Sequence, residues 1–122
     1  MNSKRKGSGG EREVAELLRV HGYDAHRNEQ RYIGGLNNPD VDGLPGYHIE
    51  VKRTEKFSLY DALRQAQRDA DGKAVPIVCH RRNRQPWVVV MTLEDFLRLE
   101  ERSGSTCPED STPKAGQTLT GA

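Results

Sequence analysis

The sequence predicts an α/β protein in which a mixed β-sheet is flanked by helices, and three patterns support this. Residues 39–53, "PDVDGLPGYHIEVKR", alternate apolar and charged side chains, the two-residue period of a strand. Residues 11–21 and 59–70 instead repeat their apolar positions every three to four residues, as an amphipathic helix does. Two β-branched runs flank the polar turn "RRNRQ" and add a second strand pair. In chain order the elements read helix, strand, strand, strand, helix, strand, strand, helix, so sheet and helices can bury one another's apolar faces.

A chain of 122 residues is one domain by length. Residues 1–9 read as a flexible basic arm, 10–102 as the folded domain and 103–122, "SGSTCPEDSTPKAGQTLTGA", as a disordered tail. The first helix is expected from Glu11 to His21, with Val14, Leu17, Leu18 and His21 on one stripe and Gly22 as its stop. On a helical wheel Glu11 falls beside that stripe, Glu16 on the solvent side and Glu13 at its flank. Ser8-Gly9-Gly10-Glu11 also fits a capping box, in which Glu11 would serve only the helix end. A strand from Tyr23 to Arg27 then leads into a mobile polar loop with Gly34, Gly35, Asn37 and Asn38. Beyond the hairpin, Ser58 caps a helix whose Ala62, Ala66 and Ala70 allow close packing on a sheet. Strands Ala74–His80 and Pro86–Met91 follow, and Thr92 caps a last helix through Leu99.

Two local signals conflict in the hairpin. Leu44-Pro45-Gly46-Tyr47 reads as a type II turn, which would place Asp40 across from Val51. Burial favours the neighbouring register, Asp40 across from Glu50 and Val41 across from Ile49, because it buries Val41, Ile49 and Val51 together. We adopt the second register, which requires an odd loop or a bulge.

Composition excludes several classes. The net charge is only +1, so any nucleic-acid surface must come from local clusters such as Lys4, Arg5 and Lys6, or Arg81, Arg82 and Arg84. Each cluster reads equally well as a solvated tail or turn. Cys79 and Cys107 have neither metal-ligand nor disulfide spacing. Without an apolar leader or a membrane-length run, the expectation is a reduced, soluble, cytoplasmic protein with no membrane partner.

In the chosen register Asp40, Asp42, His48, Glu50 and Lys52 share one strand face. Like charges gathered there are destabilising unless something positive lies between them, either Lys52 or a bound metal cation. Glu11, Pro39-Asp40 and Glu50-Val51-Lys52 together resemble the PD-(D/E)XK nuclease superfamily, and within it the archaeal and phage type of Holliday-junction resolvase. "KRKGSGGEREVAELLRVHGYDAHR" is similar to the opening of that family, with a basic Lys-Gly segment, a Glu-Arg-Glu helix start and a Gly-aromatic step into a strand ending in Arg. The likeness runs from about Lys4 to about Val90. The short hairpin and the tail depart from it.

The resemblance implies a restriction-endonuclease-like sheet and a metal held by Asp40, Glu50 and the Val51 carbonyl, with Glu11 assisting directly or through water. It implies Lys52 as catalytic lysine, although a structural salt bridge to Glu50 or Asp40 is the alternative. Asp42 rivals Asp40 as ligand, and His48 reads as a polar neighbour. Arg12 and Arg27 would contact DNA phosphates, with Lys4, Arg5, Lys6, Arg53, Arg81, Arg82 and Arg84 completing the expected DNA-binding set. Oxygen donors of this kind suit Mg2+, with Mn2+ as a substitute. The implied activity is an endonuclease on branched, four-way DNA, working as a homodimer through Trp87 and Val89 or through Phe96, Leu97 and Leu99. A nicking or restriction-like nuclease on linear duplex would have the same active site. A non-catalytic DNA-binding module is disfavoured, since carboxylates repel the phosphates it would bind.

Overall fold

The most regularly alternating stretch of the sequence becomes the centre of the sheet. The structure, a computed structural model, describes residues 3–28 and 38–106, with side chains for 9–28 and 38–103. The side chains of Lys4, Arg5 and Lys6, the loop residues Gly34, Gly35 and Asn37, and the tail from residue 107 lie outside the described residues. The elements are α1 (Ser3–Val20), β1 (His26–Arg27), β2 (Val41–Asp42), β3 (Tyr47–Arg53), α2 (Leu59–Ala70), β4 (Val75–Arg81), β5 (Val88–Val90) and α3 (Leu93–Thr106). The chain divides into two units, residues 1–91 with the whole sheet and residues 92–122 with α3.

The strand order is β1-β2-β3-β4-β5. β3 and β4 are parallel and the other neighbours antiparallel. A parallel pair needs a crossover, and α2 provides it. The expected mixed sheet and element order are therefore present, with the outer strands shorter than their sequence patterns suggested.

Val41 pairs with Ile49, the register favoured by burial, and the Asp40 N–H donates to the Ile49 carbonyl at 2.8 Å. The turn forms as well, with the Tyr47 N–H donating to the Leu44 carbonyl at 3.2 Å. Gly43 reconciles the two signals. It takes the extra position at φ 115°, and a Cβ there would lie 2.4 Å from the Ala25 Cα. Only glycine satisfies both the backbone angle and the space.

α1 departs from expectation at its start. The backbone is helical from Ser3, so Ser8 lies inside the helix and the capping box at Glu11 does not form. Once Glu11 to Leu18 is anchored on the sheet, each further residue adds a hydrogen bond without a new nucleation cost, and the Lys-Arg-Lys run has good helix propensity. At the other end the Tyr23 N–H reaches the Leu18 carbonyl at 3.1 Å and the Gly22 N–H the Arg19 carbonyl at 3.0 Å, a Schellman stop where one was expected. The inward stripe is Glu11, Val14, Ala15 and Leu18, whereas Leu17 is exposed.

The sheet is covered on both faces. Val14, Ala15 and Leu18 of α1 pack with Val41, Ile49, Val51, Ile77 and Cys79. Ala62, Leu63 and Ala66 of α2 pack with Val78 on the other side. The strand face that carries His48 and Glu50 is therefore buried rather than solvated, because α2 lies across it. Ser58 sits at the N-cap of α2, but its hydroxyl donates to the Asp61 carboxylate at 2.7 Å instead of accepting a backbone N–H. Thr92 caps α3 as expected, accepting from the Asp95 N–H at 3.0 Å, and α3 continues past Leu99 to Thr106.

Gly10 shows how closely α1 approaches β3: a Cβ there would fall 2.7 Å from the Arg53 Cβ and 3.2 Å from the Val51 Cγ1, while one on Gly9 would meet nothing. Gly9→Ala should stabilise the fold by about 0.5–1 kcal/mol through helix propensity. Gly10→Ala should destabilise it by about 1–3 kcal/mol through overpacking. Urea denaturation of the two neighbours checks the opposite signs, and equal effects would mean α1 is not seated this way.

Candidate active site

Glu50 occupies the middle of the central strand, opposite Val78 of β4, and is 3% exposed. A carboxylate in such a place is costly unless it is paired or hydrogen-bonded. Three groups surround it. His48 Nε2 and Glu50 Oε2 are hydrogen-bonded at 2.9 Å, from a histidine side chain that is itself 5% exposed. Asp40 approaches from the β2 side, as the shared register dictates. Asp69 approaches from α2, and ligand atoms of His48, Glu50 and Asp69 all lie within 4.8 Å of one another.

Asp40 is held by backbone. The Val51 N–H donates to Asp40 Oδ2 at 2.8 Å, which pins the carboxyl beside Glu50. Burial pushes the Asp40 pKa up to about 7, and the charge of Glu50 adds to the rise; the Val51 N–H opposes it, while the Glu11 charge and the Glu50 hydrogen bond raise it further. Glu11 comes from α1, buried at 6% exposure, and accepts from the Arg27 Nε–H at 3.2 Å. Glu11 from the helix and Glu50 from β3 thus both act electrostatically on Asp40, which stands just ahead of β2. Asp69 is also shifted upward, first by burial and then by the charge and hydrogen bond of Glu50.

These donors fit a hard divalent cation. Asp40, Glu50 and Glu11 present oxygen atoms only, and they are crowded enough that one carboxyl retains its proton near neutral pH, a repulsion that a cation would relieve. Lys52 follows two residues along β3 and lines a shallow cavity of about 200 Å3 with Thr54, Lys56, Ser58 and Gln65. Among the described residues it makes no ion pair, so the salt bridge to Glu50 or Asp40 is not formed.

The other expected site residues are distributed unevenly. Asp42 is drawn toward His26, 3.9 Å away, and not toward Glu50. Val51 lies in the strand between Glu50 and Lys52. Arg12 is exposed and, with Arg19, His26 and Arg27, lines a cleft of about 670 Å3. Arg27 is committed in part to Glu11. Arg53 and Arg81 turn instead to Glu13: Arg81 donates to its Oε1 at 2.9 Å, Trp87 Nε1–H to the same oxygen at 3.0 Å, and the Arg53 Nε lies 3.9 Å from it. Their guanidinium groups tie α1 to the sheet and are less exposed than Arg82 and Arg84. Asp69 was not anticipated. Its place one helical turn past Ala66, on the small-residue stripe of α2, was the available signal.

The Asp40 carboxyl binds its proton more tightly in the folded than in the unfolded chain, its pKa rising from 3.8 to about 7. Its contribution to stability is therefore full below 3.8 and is lost as pH rises through 7. In chelator, the melting temperature should fall between about pH 5 and pH 8, and Asp40→Asn should flatten much of that fall. An identical decline in the variant would assign it to other groups.

Comparison with known proteins places this geometry. A family model described as "Phage putative PDDEXK endonuclease" matches residues 2–109. No curated protein matches the chain. Among solved structures the chain is similar to Hjc, a Holliday junction resolvase from the archaeal hyperthermophile Archaeoglobus fulgidus, at 24% identity and a TM-score of 0.53, over 66% of this chain and 72% of that one. That likeness establishes a shared restriction-endonuclease-like fold. The family match spans every strand and helix described above, and the chain belongs to this phage family of PD-(D/E)XK endonucleases.

Proposed function

We propose that the protein is a divalent-metal-dependent endodeoxyribonuclease that cuts branched DNA, with a four-way junction as its substrate and Mg2+, or Mn2+ in its place, as the ion. The observation that carries this reading is the Asp40–Glu50 carboxyl pair, brought together by the hairpin register and followed on the same strand by Lys52, which makes no ion pair among the described residues. A binding module for phosphates would gain nothing from such a pair.

In this reading Asp40, Glu50 and the Val51 carbonyl hold the ion, and Glu11 supports it through water. When bound, the ion polarises the scissile phosphate and lowers the pKa of a coordinated water. The Val51 N–H keeps the Asp40 oxygen directed at the site. Arg27 keeps Glu11 in place. Lys52 places its ammonium group where negative charge develops on the reacting oxygens. Arg12, exposed beside this centre, meets a neighbouring phosphate, and Arg82 and Arg84 extend the positive surface. The side chains of Lys4, Arg5 and Lys6 would add to it.

Junction specificity rests on the resemblance to the resolvases. Resolving a junction takes two symmetric cuts, and one chain carries one such site, so the working form is a two-fold dimer. Its apolar surface is either β5, where Val88 and Val89 are exposed, or α3, where Phe96 and Leu97 are exposed and Leu99 is partly covered. Trp87 packs against the core and is a weaker candidate than its sequence position suggested. DNA cleavage of this kind belongs in the cytoplasm. No described helix is long and apolar enough to cross a membrane.

Labelled four-way junction and matched linear duplex, incubated with Mg2+ or with chelator, test the reading directly. Cleavage should need the ion and favour the junction; equal cutting of the duplex would replace the resolvase with a restriction-like or nicking nuclease. Asp40→Asn, Glu50→Gln and Lys52→Ala should each lower the rate by about a hundredfold or more while junction binding persists. Full activity of Asp40→Asn would remove Asp40 from the site. Light scattering should find a dimer, alone or on junction DNA, and a strict monomer in both would rule out paired resolution.

A further inference from the structure

Glu50 has two acidic neighbours, Asp40 and Asp69, and among the described residues a single nitrogen donor, His48. The His48 side chain is 5% exposed and that of Glu50 4%, so both are shielded from bulk solvent. An ionised carboxylate only accepts hydrogen bonds, so the ring must present N–H at Nε2, and the 2.9 Å contact fixes Oε2. Without that donor Glu50 would be left, among the described residues, with hydrogen-bond partners that are themselves acids, Asp40 and Asp69, and with no N–H to choose one orientation.

We propose that His48 is a positioning residue of the nuclease site, holding the Glu50 carboxylate in its ion-binding orientation, with Asp69 of α2 as the outer wall that keeps the imidazole and carboxylate together. The inference rests on the reading of Glu50 as a metal ligand. His48 touches neither ion nor DNA in this role. It acts through Glu50, as a group behind a ligand does in a metal site. Its place on the strand follows from the two-residue period, which puts residues 48 and 50 on the same face, the one that α2 covers.

Mn2+ titration of the full-length protein by calorimetry tests this without reference to cleavage. His48→Leu, which keeps the buried volume and removes the N–H, should weaken Mn2+ binding by about 10- to 100-fold. His48→Gln, whose side-chain amide also offers N–H, should restore the affinity to within about threefold of the parent. Cleavage by His48→Leu should fall mainly in kcat, with KM for DNA little changed, since no phosphate contact is lost. Thermal melts of both variants show whether the fold is intact, and if His48→Leu does not fold, His48→Gln and His48→Asn, of different reach, make the same comparison. Mn2+ affinity in folded His48→Leu equal to or tighter than the parent, alongside weakened binding in Glu50→Gln, would overturn the positioning role alone. Unchanged Mn2+ binding in Glu50→Gln would overturn the ligand assignment and this inference with it.

Discussion

A glutamate buried at the centre of the sheet is the constraint on which the rest of this structure turns. β3 lies between two neighbours and beneath two helices, where parallel strands ordinarily bury valine and isoleucine, and Glu50 is nonetheless almost fully covered. An unpartnered carboxylate there would cost several kcal/mol. The surroundings offset that cost in different ways: a histidine donor on the same strand, a backbone-held carboxyl across the hairpin that keeps a proton, and an arginine that neutralises the third acid nearby. Apolar residues of similar volume often serve stability at such a place equally well or better.

The need to bring acids from three elements to one point explains the tight packing around them. α1 must approach β3 closely enough for the Glu11 charge to act on Asp40, and Gly10 is where helix and strand meet with no room for a methyl group. The hairpin must keep Asp40 across from Glu50 and still turn within a few residues, and Gly43 takes up the difference against the backbone of Asp24 and Ala25. Each glycine is a geometric condition for the carboxylate cluster. Local helix propensity would have chosen otherwise at Gly10.

The arginines divide along the same line. A net charge of +1 leaves little general attraction for DNA, so what counts is which cations stay available. Arg53 and Arg81 are drawn to Glu13 and stabilise the seat of α1, and Arg27 steadies Glu11. Arg12, Arg82 and Arg84 remain on the surface, so fewer arginines are available than a count of basic residues suggests, and of these three Arg12 lines the cleft between α1 and β1.

Much of this was determined by sequence alone. Period-two alternation placed Glu50 and Lys52 on one face, the apolar set Val41, Ile49 and Val51 chose the hairpin register over the turn signal, and Gly22 and Thr92 marked helix ends, because all of these depend on neighbours a few residues apart. Tertiary structure decided the rest. That α2 covers the charged face, making His48 a buried partner in place of a solvated neighbour, depends on a crossover from β3 to β4 that periodicity does not encode. That Asp69 lies beside His48 and Glu50, that Asp42 is drawn to His26, and that Glu11 is buried within a helix instead of capping one depends on which elements meet in space. Spacing along the chain fixes a side chain's face; its burial, partner and proton are set by what packs against that face from elsewhere.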